Sequence, residues 1–272
     1  MVLKLDIVIP IYNEQENLPE LNRKLFEVCE GLEGVIWQVI YVNDGSADDS
    51  MRIMLEQSAK DARFSIVDLS RNFGHQAAIA AGLAHADGDA VILIDGDLQD
   101  PPEVIPDLLS SWQEGAQVVR AGRRSRRERG IRRLGFEVFH KVFSWISDFP
   151  VPSQSGIFGL LDRQAVRELK RFTEKNRFFP GLRTWVGFNQ GVISYDRQDR
   201  AAGEPKQSLK RLIRYALDAI FSFSYKPLRL MTGVGVVVSA VGFVLACFFV
   251  IRRLAGLEIA QTGFTTLVTL IF

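Results

Sequence analysis

The chain has 272 residues, 47% of them hydrophobic, which excludes a disordered polypeptide and allows one large domain or two modest ones. Its formal net charge of +1 conceals an asymmetry: residues 1–119 carry 7 basic and 21 acidic side chains, and residues 120–272 carry 26 and 11. Halves of net −14 and +15 point to two different partners, and the two lone cysteines, Cys29 and Cys247, exclude a disulfide framework or a cysteine-based metal site.

Asp6 interrupts the apolar run 2–11 and no small-residue cleavage site follows, so the N-terminus does not read as a signal peptide. Strands are predicted over residues 5–12, 35–42, 64–69, 90–94 and 117–121. Leu18, Leu21, Leu25 and Val28 share one helical face, and a second helix covers 102–112. His75 opens a further helix that contains His85; both histidines read as structural or surface residues. Strands alternating with helices predict βαβ units, hence an α/β fold with a mainly parallel sheet. Ligands of such sheets bind beyond the carboxyl ends of the strands. The first strand leads to Pro10-Ile11-Tyr12-Asn13-Glu14 rather than a GxGxxG, which argues against an NAD-type site.

The second strand leads to Asn43-Asp44-Gly45-Ser46 and the fourth to Asp95-Gly96-Asp97-Leu98-Gln99-Asp100. In extended chain Asp95, Asp97 and Gln99 point to one side, with hard oxygen ligands ~7 Å apart along the strand. That set suits a divalent cation which also holds phosphate oxygens, Mg2+ or Mn2+. Without a cation these carboxylates, alongside Asp44, would repel one another. Asp44-Gly45-Ser46 by itself is equally compatible with an Asx turn and a helix cap.

Residues 123–133, RRSRRERGIRR, hold seven arginines and one glutamate. Two readings stay open: a solvated charge run, or a surface for anionic lipid or a diphosphate-bearing substrate, which guanidinium grips in bidentate fashion. The lack of interleaved aromatics argues against nucleic acid. Further on, Leu209, Leu212, Ile213, Ala216, Leu217, Ile220 and Phe221 recur at helical spacing, with Lys210, Arg214 and Asp218 on another face. An amphipathic helix on a membrane surface is predicted across 208–230. Residues 231–251 contain no charge and make about 31 Å of helix, enough to span a bilayer. Lys206, Lys210, Arg211, Arg214, Lys226 and Arg229 precede that span and only Arg252 and Arg253 follow it. The positive-inside rule therefore puts residues 1–230 in the cytoplasm of an inner or plasma membrane. A short loop, 252–261, and the start of a second, incomplete transmembrane helix, 262–272, give an expected multi-pass arrangement. A homo-oligomer formed through the membrane hairpin is a further expectation.

In combination, IPIYNE, VNDGS, RNFGHQAAIAAG and DGDLQDPPEVI closely resemble family 2 glycosyltransferases of the GT-A fold. Within them the chain looks like the polyprenyl-phosphate branch, which includes dolichyl-phosphate mannose synthases and bactoprenyl glucosyltransferases. The resemblance covers about residues 4–230 and continues into the membrane segment. It implies a GT-A catalytic domain over 1–207, in which Pro10, Tyr12 and Glu14 line the nucleotide pocket. Asp44 would contact the base or ribose, and Asn72 and Gly74 would form the turn beside the nucleotide. Asp95 and Asp97 match the DxD, with Asp97 and Gln99 the first candidates for the metal. A loop over the site would present Arg123, Arg124, Arg126 or Arg127 to phosphate. The stretch from Arg197 to Lys206 resembles the family's R-x-x-R-x-x-G-E-[ST]-K segment, which makes Arg197, Arg200 and Lys206 candidates for the lipid phosphate. Two departures matter: Pro205 replaces a Ser or Thr and removes a hydroxyl, and Ile157 lies where many relatives carry an acid, so no general base is assigned.

The implied reaction moves a sugar from a nucleotide donor, UDP-glucose foremost with GDP-mannose or another UDP-sugar behind it, onto a polyprenyl phosphate with inversion. A phosphate monoester has its second pKa at about 6, so the acceptor is largely ionised at neutral pH and needs no strong base. Catalysis then rests on positioning and on neutralising the departing diphosphate, with Asp95, Asp97, Arg197, Arg200 and Lys206 as the candidate catalytic residues. Three alternatives share parts of this pattern: a processive polysaccharide synthase, whose QxxRW is absent, a nucleotidyltransferase, and a non-catalytic membrane scaffold.

Overall fold

The computed structural model describes residues 2–123, 155–173, 178–195 and 226–256. The first part alternates strand and helix: β1 (Leu3–Ile11), α1 (Leu18–Glu30), β2 (Val35–Asn43), α2 (Ser50–Lys60), β3 (Phe64–Asp68), α3 (His75–His85), β4 (Ala90–Leu93), α4 (Ile105–Gln113) and β5 (Val118–Arg123). Then follow β6 (Ser155–Asp162), α5 (Arg163–Lys170), α6 (Phe179–Trp185) and β7 (Gln190–Tyr195), and last the long helix α7 (Lys226–Leu254). The strands form one sheet in the order β3-β2-β1-β4-β6-β5-β7. β6 is antiparallel to both neighbours and every other pair is parallel. All five predicted strands are present. β6 and β7 are additions that the sequence pattern did not reveal.

The central strands read as apolar runs because helices cover both faces of the sheet. With a side-chain period of two, Leu5, Ile7, Ile9 and Ile11 of β1 face one core with Leu18, Leu21 and Leu25 of α1 and Leu108 of α4. Val8 faces the other with Ile40, Val42, Ala78, Ile79 and Leu182. In α1 the fully buried fourth position is Cys29 rather than Val28, which packs only partly. Burial pushes the Cys29 thiol up to about 12, so it is an inert core side chain. Helix α3 is built from small residues and lies tight on the sheet: a Cβ on Gly82 would come within 2.3 Å of Val8 Cγ1 and 2.9 Å of Val42 Cγ2. This close approach seats the N-terminus of α3 against the strand ends.

Asp6, the break in the first apolar run, is fully buried. Its Oδ2 accepts the backbone N–H groups of Asp87 (2.7 Å) and Gly88 (2.8 Å), and its Oδ1 accepts from Gln38 Nε2 (2.8 Å). One carboxylate thus pins the turn that feeds β4. Asp6→Ala would leave three donors without their acceptor, and a loss of ~3 kcal/mol is expected, read from the midpoint of chemical unfolding. Arg183 is likewise fully buried; it donates to the carbonyls of Ile157 (3.1 Å) and Gly156 (3.1 Å) and ties α6 to β6. Burial, aided by the charge of Arg120, lowers its pKa to about 9.

Leu228–Arg252, within α7, is long and apolar enough to cross a membrane. Its large side chains stay open to the surroundings, Val236, Phe243 and Ile251 among them, where the core helix of a folded domain would bury one face. The amphipathic segment up to residue 225 and the second apolar stretch, 262–272, lie outside the described residues.

Candidate active site

β1, β2, β3 and β4 run parallel, so the chain leaves all four at one end of the sheet. β5 ends there too, with Gly122 opposite Ser155 at the start of antiparallel β6. β7 ends beside β5, with Arg123 opposite Tyr195. Every candidate among the described residues therefore belongs to one pole of the molecule.

The turns after β1 and β2 are laced together. Asp44 N–H donates to the Ile11 carbonyl (2.8 Å), and Asn13, at φ +56°, donates its N–H to Ser46 Oγ (3.1 Å) and accepts from Ala47 N–H (2.7 Å). Glu14 donates its N–H to Ser50 Oγ (2.9 Å) and accepts from Asn17 Nδ2 (2.6 Å). Pro10 is buried, whereas the Tyr12 ring is exposed.

Asp44 is buried, and its carboxylate holds the turn after β3: Oδ1 accepts Phe73 N–H (2.7 Å) and Oδ2 accepts Gly74 N–H (3.0 Å). The Asn72–Gly74 turn is thereby fixed against β2, with Asn72 exposed and Gly74, at φ +97°, leading into α3. Gly45 makes this possible, because any Cβ there would meet the backbone of Arg71 and Asn72.

The DxD segment departs from the extended chain that the sequence suggested. β4 ends at Leu93, and residues 96–100 form a turn with Leu98 at φ +58°. The 7 Å spacing of a flat strand does not apply, because the chain curls there. Burial alternates along it: Asp95, Asp97 and Gln99 are half-buried, while Gly96, Leu98 and Asp100 are buried. Asp97 Oδ1 accepts Gln99 N–H (3.2 Å), which ties the two across the turn.

His75, set aside in the sequence reading as structural or surface, lies on this segment. Its Nε2 is 2.8 Å from Asp95 Oδ1. Partial desolvation works against the charged ring, and the carboxylate of Asp95, backed by Asp44 and Asp97, more than offsets it, so the imidazole pKa is raised. No local periodicity links His75 to Asp95; the contact follows from seating α3 across β1 and β2.

Among the described residues no three His, Cys, Asp or Glu side chains converge as a ready metal cage. Asp95, Asp97 and Gln99 nevertheless offer hard oxygen donors within one short segment, each of them only partly buried. Mg2+ and Mn2+ take one or two carboxylates when substrate phosphates complete the shell, so the donor set fits such a cation. Of the basic candidates, Arg123 closes β5 by its backbone. Arg124, Arg126, Arg127, Arg197, Arg200 and Lys206 lie outside the described residues.

The sequence profile of Glycosyl transferase family 2 matches residues 6–169, which span β1 to α5 and contain the turns after β1, β2, β3 and β4. The chain belongs to that family. A relative described as an uncharacterized glycosyltransferase, YkcC of Bacillus subtilis (strain 168), is 40% identical over 98% of this chain and 83% of its own length. A prophage bactoprenol glucosyl transferase homolog of Escherichia coli (strain K12) is 37% identical over 92% of this chain and 81% of its own. Among solved structures, glucosyl-3-phosphoglycerate synthase from Mycobacterium tuberculosis, in complex with Mn2+ and UDP-glucose, superposes with a TM-score of 0.52 at 18% identity, over 79% of this chain and 76% of that one. At that identity the likeness speaks for the fold, an α/β GT-A type with a mostly parallel sheet. The family 2 chain is accordingly a glycosyltransferase.

Proposed function

We propose that this glycosyltransferase is anchored in a membrane by α7 and transfers a sugar, glucose from UDP-glucose foremost, to a polyprenyl phosphate at the cytoplasmic face, with inversion. The observation that carries the reading is the shared register of β5 and β7, in which Arg123 lies opposite Tyr195. In sequence the arginine cluster begins at the first of these ends and Arg197 follows the second by two residues. Both basic segments therefore start at the pole that bears the acidic turn. The relatives named as bactoprenol glucosyl transferases support the acceptor, and the apolar, unpacked α7 supports the anchor.

In this reading residues 1–207 are catalytic, and the amphipathic segment from 208 lies on the membrane surface as far as the apolar part of α7, which begins at Leu228 rather than at the expected 231. Asp97 and Gln99, with Asp95, hold a Mg2+ or Mn2+ ion together with the donor diphosphate. Bound there, the ion supplies Lewis-acid neutralisation of the departing nucleotide. Pro10, Tyr12 and Glu14 line the nucleotide pocket, closed on one side by Asp44 and the Asn72–Gly74 turn. Arg197, Arg200 and Lys206, with one of Arg123, Arg124, Arg126 or Arg127, hold the lipid phosphate. An ionised phosphate oxygen attacks the anomeric carbon as the bond to the diphosphate breaks, and no proton need leave the acceptor. Ile157 is buried in the core under α6, which agrees with a site that uses no base at that position.

The test is a screen of sugar nucleotides against polyprenyl phosphate with Mn2+ or Mg2+, scoring lipid-linked sugar. UDP-glucose should give the fastest product. Failure of every donor to yield a lipid-linked sugar would sink the reading, and another sugar in first place would correct only the donor. Arg200→Ala or Lys206→Ala should raise the apparent KM for the lipid about tenfold or more while leaving nucleotide affinity unchanged, because each removes a charge-assisted bond to the acceptor phosphate. An unchanged lipid KM would remove these residues from the acceptor site.

A further inference from the structure

One contact joins the acidic turn to the strand from which the second basic segment starts. Tyr195, the last residue of β7, is buried, and its ring meets Phe158 of β6 edge to face with centroids 5.5 Å apart. Its hydroxyl donates to Oδ1 of Asp100, itself buried and 95 residues away in sequence. Asp100 closes the turn that carries Asp95, Asp97 and Gln99, and Pro101 and Pro102 follow it into the short 3-10 turn Pro102–Val104 ahead of α4. Upstream the turn is held by β4, whose last pairing is Val8 with Leu93, and by the bond from Ile94 N–H to the Val8 carbonyl (3.2 Å). Between these two supports Leu98 adopts φ +58°, a conformation that costs a leucine ~1 kcal/mol or more and relaxes if either support gives way.

We propose that Tyr195 is a positioning residue: through Asp100 it clamps the downstream end of the acidic turn and so fixes where Asp97 and Gln99 present their oxygens. The clamp comes from a strand whose next residues in sequence include Arg197 and Arg200, so donor-side geometry is referenced to the strand that leads toward the acceptor side. The inference rests on the reading that this turn holds a divalent cation and the donor phosphates. A carboxylate accepting from a phenol makes a strong, directional bond, and burial at both ends keeps water from replacing it.

Tyr195→Phe deletes the hydroxyl and keeps the ring packing against Phe158. The full-length protein in detergent would be titrated with Mn2+ at fixed UDP-glucose, with nucleotide binding followed by calorimetry and thermal unfolding recorded on the same samples. The expected result is a half-saturating Mn2+ concentration at least fivefold higher, with unfolding still cooperative. An ordinary core tyrosine would lower the melting temperature and leave the Mn2+ dependence unmoved, and that outcome overturns the proposal. Asp100→Asn supplies a second reading, because its amide oxygen can still accept from the Tyr195 hydroxyl. The bond loses its charge assistance but not its acceptor, so the Mn2+ dependence should fall between those of the parent and Asp100→Ala. A loss as large as that of Asp100→Ala would mean that Asp100 acts through its charge, and would overturn the clamp. If the parent protein bound UDP-glucose without any Mn2+ dependence, the metal reading itself would fall and take the inference with it, a result distinct from either variant's.

Discussion

Replacing Asp97 by alanine should abolish sugar transfer, with a fall of about 10³-fold or more, while the protein still partitions with the membrane. The expectation follows from where the side chain stands. Asp97 is half-buried in the turn after β4, between Asp95 and Gln99 in sequence, and its Oδ1 takes the Gln99 N–H (3.2 Å). The substitution therefore removes one proposed ligand and loosens the neighbour proposed to supply another. α7 is remote in sequence and exposed along its length, so membrane association should be untouched. Transfer measured on the membrane fraction of cells making the variant would decide the matter. Turnover at the parent rate would refute the metal assignment, and so would a loss that accompanied release of the protein from the membrane.

The second large effect is expected at Gly45. Its φ is +67°, which a Cβ disfavours, and that Cβ would lie 2.5 Å from Asn72 N and 2.6 Å from Arg71 C. Both are backbone atoms, so no rotamer change can relieve the contact. Gly45→Ala must push the Arg71–Asn72 backbone away and pull the Phe73 and Gly74 N–H groups off the Asp44 carboxylate. A cost of ~2–4 kcal/mol in stability and at least a tenfold weaker sugar-nucleotide affinity are expected from the clash, the strain and the lost charge-assisted bonds. Gly115→Ala is the matched comparison. It has φ +104°, yet no atom lies within 4 Å of its Cβ, so it should show only the strain of ~1 kcal/mol and normal nucleotide binding. Equal losses at the two glycines would show that backbone strain alone, and not the loop behind Asp44, sets the effect.

What could be read from the chain, and what could not, divides along the range of the interactions. The first five strands were legible because each is an apolar run closed by Gly, Pro, Asn or Asp, a signal that sits within ten residues. β7 was not: an edge strand with Val192 exposed and a mixed burial pattern looks locally like a loop. β6 has an apolar stretch, but nothing local says that it inserts antiparallel between β4 and β5. The spacing of Asp95, Asp97 and Gln99 was plain in the chain, whereas the turn that carries them was hidden, since leucine seldom adopts the conformation of Leu98. Asp6 was visible as an interruption, and its role as a buried acceptor depends on Gln38, Asp87 and Gly88, which only the folded chain assembles. The same holds for His75 and Asp95, whose meeting is set by how closely α3 lies on Val8 and Val42.

The placement of β6 between β4 and β5 has a consequence for how such an enzyme can diversify. Gly122 pairs with Ser155, so β5 ends and β6 begins at the same level of the sheet, one strand apart. A connection between two points so close can change length at a cost that grows only slowly, without disturbing the pairing of these two strands with each other. The sequence between them can therefore change in length, while the turns after β1 and β2, laced through Asp44, Asn13 and Glu14, are fixed by their own hydrogen bonds. The architecture separates a connection that tolerates change from strand-end turns that do not.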